Sequence, residues 1–267
     1  MPVNYKQKDR YEIQDLIEIM RILRTPDGCP WDREQTHQSI RSNLLEETHE
    51  AIEAINRNDM KLLCEELGDI LLQIVFHAQI EQENNRFDFH DVVDGICKKL
   101  IVRHPHVFAD VDVENSGQVL ENWDKIKRET KGGTSQTELL RSVPKSLPAL
   151  MRAAKVQGRA ARIGFDWPEA SGALSALESE RRELEEAIAD GDAQKMEEEL
   201  GDLLFSAVNV SRFIDCDAEQ SLTSACDKFI KRFELVESLA ADKGINLADL
   251  DILELDKLWE KAKSING

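Results

Sequence analysis

The chain has 267 residues, 41% of them hydrophobic, enough to bury a core in one large or two small domains. A formal charge of −18 argues against a nucleic-acid-binding surface, which needs clustered Lys and Arg, and admits an anionic small substrate only through an intervening cation. The opening MPVNYKQKDRYEIQD lacks a signal-like apolar core and no run of about 18 apolar residues follows, so a cytoplasmic chain with no membrane contact is expected.

In chain order, YEIQDLIEIMRIL, SNLLEETHEAIEAI, KLLCEELGDILLQIVFHAQI, ALSALESERRELEEAIA and KMEEELGDLLFSAVNVSRFI place apolar residues three and four apart. That period predicts amphipathic helices, and strand-like alternation of β-branched residues is missing, so the class is all-α. Residues 130–148 gather Gly, Ser, Thr and Pro, the composition of a connection that does not pack well. This divides the chain into a first domain, 1–129, a linker, and a second domain, 149–267. Cys29, Cys64, Cys97, Cys216 and Cys226 form no C-x-x-C pair and are expected to be reduced packing residues.

The two halves repeat each other. Glu47, Glu50, Glu66 and Asp69 recur 133 residues later as Glu180, Glu183, Glu199 and Asp202. Trp31 and Trp123 find counterparts 136 residues on in Trp167 and Trp259, and KKLIVRHPHVF aligns with DKFIKRFELVE, pairing Lys99 with Lys228 and Arg103 with Arg232.

In each half the acids read E-x-x-E, fifteen residues, E-x-x-D. Residues three apart share a helix face, so each pair is one-sided. Both the inner and the outer pairs are centred on Asn58 in the first half and Gly191 in the second, inside turn-forming stretches. Two antiparallel helices meeting there would bring four carboxylates together, twice. Acidic helix faces are ordinarily just solvated, but that does not explain recurrence at one offset, symmetric about a turn both times. Four crowded carboxylates need a neutralising charge, and an all-oxygen set suits Mg²⁺, with Mn²⁺ as substitute, and not zinc. Mid-helix Gly68 and Gly201 point to close helix approach or to room beside a site.

These motifs, with RTPDGCPWDREQTH and RHPHVF, resemble the MazG family of nucleoside triphosphate pyrophosphohydrolases, over residues 11 to 263. The resemblance implies two tandem helical-bundle domains and a magnesium-dependent homodimer that cleaves NTPs and dNTPs between the α- and β-phosphates. Carried over residue by residue, Glu47, Glu50, Glu66, Asp69, Glu180, Glu183, Glu199 and Asp202 would hold metal. Glu65 and Glu198 would orient or deprotonate the attacking water. Lys195, Lys228 and Arg232, with Lys99 and Arg103 in the first half, would balance the triphosphate, and Trp259 and Trp123 would meet the base by stacking that tolerates several bases.

The halves differ. Ser179 stands where the first half has Glu46, and all six histidines, His37, His104 and His106 among them, lie in the first half without metal-binding helical spacing, reading as phosphate contacts or packing. The C-terminal half is expected to carry the main activity. The readings that compete are a silent scaffold binding metal and nucleotide, and a narrow dUTPase.

Overall fold

The computed structural model describes residues 5–109, 115, 118–119 and 135–265. The chain is all-α, with no strand among the described residues, and divides into two compact units, Met1–Lys131 and Gly132–Gly267.

The first unit holds α1 (Ile13–Leu23), α2 (Pro30–Glu34), α3 (Arg41–Asn56), α4 (Met60–Glu83), α5 (Phe89–Arg103) and α6 (Pro105–Phe108). Its core is Met20, Ile40, Val75, Phe76 and Ile80, with Leu16, Ile17, Leu72 and Phe89 against it, so α1 and α5 close on α4. Helices α3 and α4 form an antiparallel hairpin. The turn falls where the acid spacing places it: Asn58 has a positive φ of 55°, a conformation Asn tolerates, and Asp59 accepts hydrogen bonds from the Lys61 and Leu62 N–H groups at 3.1 and 3.0 Å to start α4.

The second unit holds α7 (Gln136–Arg141), α8 (Ala149–Ala161), α9 (Ala170–Asp190), α10 (Ala193–Phe213), α11 (Ala218–Ala241), a 3₁₀ turn (Leu247–Asp249) and α12 (Ile252–Ile265). Helices α9 and α10 repeat the hairpin. Gly191 ends α9 with φ of 70°, and Asp192 caps α10 by accepting from Gln194 and Lys195 at 3.1 Å. A separate core of Val236, Ala240, Leu258 and Ala262 joins α11 to α12.

Two expectations are corrected. Helix α7 lies inside the stretch 130–148 expected not to pack. Ser135 and Glu138 close a capping box around its start, Arg159 of α8 donates to Ser142 Oγ at 2.7 Å, and Val143 is buried. The S-x-x-E signal was hidden among the loop-forming residues around it. The cysteines are unpaired, but Cys64, Cys97, Cys216 and Cys226 are exposed and therefore not packing residues.

Candidate metal centre and active site

The α3–α4 hairpin puts carboxylate oxygens of Glu47, Glu66 and Asp69 within 4.8 Å of one another. Glu66 is buried, 6% exposed, and the charged neighbours that act on it are all carboxylates. Burial raises its pKa most, followed by the charge of Glu50 and a hydrogen bond with it, then Asp69 and Glu47. Glu47 is raised by burial and then by Asp69, Glu50 and Glu46. So Glu50, exposed on α3, acts on the same cluster from its rim.

In the second unit Glu180, Glu199 and Asp202 converge within the same 4.8 Å. Glu199 is buried, and the Glu180 carboxyl is pushed up by burial first and by Glu183, Asp202 and Glu199 after it. Ser179 Oγ donates to Glu183 Oε1 at 3.1 Å, so the residue that interrupts the E-E-x-x-E pattern holds one of the four acids in place.

The proposed partners of these acids are placed less uniformly. Glu65 and Glu198 are exposed, about 100° round their helices from the buried acid that follows each. Lys195, half-buried, lies four residues before Glu199 and seven before Asp202, on their face of α10. Lys228 and Arg232 line a pocket of about 350 Å³ with Ser224, Asp227 and Lys231, where Arg232 Nε is buried with no hydrogen-bond partner among the described residues. Helix α11, which carries them, packs on α8 and α12 and makes no comparable pairing with α9 or α10. Trp259 is half-buried, its ring centroid 4.9 Å from that of Phe229 and against the α11–α12 core. Lys99 and Arg103 lie on α5, which packs on α4 and α6; Trp123 lies outside the described residues. Gly68 and Gly201 do not mark close helix approach, because an added Cβ would meet nothing within 4 Å at either.

Sequence reasoning missed one polar cluster. His37, before α3, stacks on His77 of α4 with centroids 5.0 Å apart and Nδ1 atoms 2.7 Å apart, while its Nε2 meets the Glu81 carboxylate, which also takes Arg86. Residues forty positions apart in sequence carry no local signal of this meeting.

Each hairpin offers an oxygen-only donor set that repels itself, built round one buried acid, Glu66 or Glu199, which fits a hard divalent cation. The model of the MazG nucleotide pyrophosphohydrolase domain matches the chain twice, at residues 35–108 and 170–236, once over each hairpin. This chain belongs to the MazG family. It is 44% identical over 257 residues to the nucleoside triphosphate pyrophosphohydrolase of Escherichia coli strain K12, covering 94% of this chain and 97% of that one. It is also 44% identical over 250 residues to the nucleoside triphosphate pyrophosphohydrolase/pyrophosphatase MazG of Thermotoga maritima, covering 94% and 95%. No helix among the described residues is long and apolar enough to cross a membrane.

Proposed function

We propose that this MazG-family enzyme hydrolyses nucleoside triphosphates between the α- and β-phosphates, giving a nucleoside monophosphate and pyrophosphate, with Mg²⁺ or Mn²⁺ held by the hairpin acids. The observation that carries this reading is the convergence of self-repelling carboxylates in both hairpins, around Glu66 and around Glu199. A bound divalent cation supplies charge neutralisation at the phosphate oxygens and acidifies water near neutral pH. Glu47, Glu50, Glu66 and Asp69, and Glu180, Glu183, Glu199 and Asp202, would hold it.

The remaining work falls to this chain's own side chains. Glu65 and Glu198, beside a buried ligand and open to solvent, orient the attacking water and take its proton. Lys195 meets phosphate from the acids' own helix face, and the unpartnered Arg232 Nε with Lys228 supplies a second anion contact. Because α11 makes no pairing with α9 or α10 comparable to those with α8 and α12, a homodimer in which a second copy presents these cations would bring them to the acids. The exposed apolar residues Leu174, Ile188, Leu200 and Leu204 on α9 and α10, 48 to 57% accessible, give such a dimer its contact surface. In the first unit Lys99 and Arg103, aligned with Lys228 and Arg232 by the repeat, would take the corresponding role. The open face of Trp259 would stack on a base without reading its edges, so several bases are accepted. The second unit, with Lys195, Lys228, Arg232 and Trp259, is proposed as the main active site.

Product analysis with Mg²⁺ and a panel of NTPs and dNTPs tests this, run beside Glu50→Ala/Glu66→Ala and Glu183→Ala/Glu199→Ala variants. Monophosphate plus pyrophosphate from several bases is the expected result. Diphosphate plus phosphate would sink the proposed cleavage, activity on dUTP alone would make this a dUTPase, and binding without turnover would leave a scaffold.

A further inference from the structure

The inner face of α4 does not turn apolar where the acids end. Glu66, Asp69 and Gln73 stand at i, i+3 and i+7, one stripe of the helix. Glu66 and Gln73 are equally buried, each 6% exposed, so the stripe faces inward at both positions. Yet Gln73 Oε1, a buried carbonyl oxygen, has no hydrogen-bond partner among the described residues. A buried acceptor left unpaired is costly and is normally satisfied by protein, by ordered water or by a ligand.

The position of this acceptor says which ligand group it fits. Gln73 lies one turn past Asp69, about 6 Å along the helix axis. Across the hairpin its counterpart by count is Asn43, since both are fifteen residues from Asn58. Asn43 is half-buried and polar as well. A nucleotide whose phosphates lie at Glu47, Glu66 and Asp69 and whose remainder runs along α4 away from the Asn58 turn would bring its sugar level with Gln73. A carbonyl oxygen there accepts from a donor, and the donors a sugar carries are its hydroxyl groups.

The second unit does not repeat this feature. At the same offset of 133 residues, Asn43 becomes Ala176, Gln73 becomes Ser206 and His77 becomes Val210. Ser206 is half-buried and too short to reach as far as a glutamine amide. The acids are thus duplicated, whereas the amide side chains at these two positions belong to the first unit alone.

We infer that Gln73 is a specificity-determining residue of the first unit, its Oε1 accepting a hydrogen bond from a ribose hydroxyl of the nucleotide bound at Glu47, Glu66 and Asp69. This rests on the reading of those acids as a nucleotide-binding metal site. The two hairpins then differ in selectivity: the first senses the sugar, and the second is tolerant of it.

The test uses the full chain with the second site silenced by Glu183→Ala and Glu199→Ala, with and without Gln73→Met, which keeps side-chain length and removes the acceptor. The quantity read is kcat/KM for ATP, dATP and 2′,3′-dideoxy-ATP with Mg²⁺, and dATP separates the two hydroxyls. The loss of one neutral hydrogen bond predicts a two- to tenfold fall, roughly, for the hydroxyl-bearing nucleotide and none for the dideoxy form. Equal losses on all three, as a packing or water-binding residue would give, or no loss on any, would overturn the inference alone. If turnover by this site is too slow to follow, calorimetric affinities of the non-hydrolysable α,β-methylene analogues of ATP and dideoxy-ATP, measured with Mg²⁺, give the same ratio. Absence of both turnover and magnesium-dependent binding would overturn the metal-site reading of the first unit, and the inference with it.

Discussion

Glu66 of α4 faces Glu50 of α3 in a cluster whose charges are all negative, and burial with that crowding raises the Glu66 pKa. The Glu47 and Glu180 pKa values are raised for the same reasons. A carboxyl raised on folding binds more protons in the folded than in the unfolded state, so the contribution of these acids to metal-free stability is most favourable at low pH and falls as pH rises from the ordinary carboxyl value through the raised ones. A divalent cation replaces those protons. Thermal denaturation should therefore show an Mg²⁺-dependent rise in Tm that is larger at pH 8 than at pH 5. Glu66→Gln should raise the metal-free Tm at pH 8 while shrinking the Mg²⁺ effect. A magnesium response independent of pH would contradict this account.

Removing two acids from one hairpin should abolish chemistry there and leave the other hairpin folded, since each has its own turn and cap. The Glu183→Ala/Glu199→Ala variant is expected to lose most pyrophosphate release, on the order of 100-fold, if the second unit is the main site. The Glu50→Ala/Glu66→Ala variant should keep most of it. The reverse pattern in a pyrophosphate assay would move the main site to the first unit.

The glycines separate two kinds of constraint. At Gly172 an added Cβ would stand 2.8 Å from Trp167 Cε3, so the ring rests on the start of α9 where only glycine leaves room. Gly172→Ala should displace Trp167 and cost about 1 kcal/mol or more, read as a lower Tm with altered tryptophan fluorescence. Gly68→Ala and Gly201→Ala meet no neighbour, so each should stabilise its helix by about 1 kcal/mol. Loss of activity in these more stable variants would show that the space beside the acids serves substrate.

The acid hairpins were legible because a short turn makes separation in space a function of separation in sequence. With Asn58 and Gly191 both at positive φ, positions equally far from each turn become neighbours, and the acid convergence follows by counting. Contacts made between distant elements had no such ruler. His37 meets His77, and Trp259 rests on Phe229, through the packing of separate helices, which residue spacing does not encode. The same limit explains Lys228 and Arg232: the repeat aligned them with Lys99 and Arg103, but alignment gives equivalence between halves and not proximity to the acids.

That separation makes a prediction about assembly. If a second copy presents Lys228 and Arg232 to the acids, Glu199→Ala and Arg232→Ala chains, each weak alone, should complement when refolded together. A mixed dimer would contain one site with intact acids and intact cations, recovering about a quarter of wild-type turnover in a random mixture. No recovery would mean that the cations serve the acids of their own chain.

The His37–Glu81–Arg86 cluster should make the first unit acid-sensitive. The Glu81 pKa is lowered, by its hydrogen bond with His37 first and by Arg86 next, and the His77 pKa is lowered by burial and then by His37. A carboxyl lowered on folding contributes stability above its unfolded pKa and loses it as pH falls; a histidine held neutral likewise costs stability once the unfolded imidazole takes a proton, below about pH 6.5. Both act in one direction, opposite to that of the hairpin acids. With Mg²⁺ present to quiet those acids, Tm should fall below about pH 6.5 through His77 and more steeply below about pH 4.5 through Glu81, and Glu81→Gln should flatten that lower, steeper part while lowering the Tm at pH 7 by several degrees. A slope unchanged by Glu81→Gln would show that this network does not hold the segment before α3 to α4.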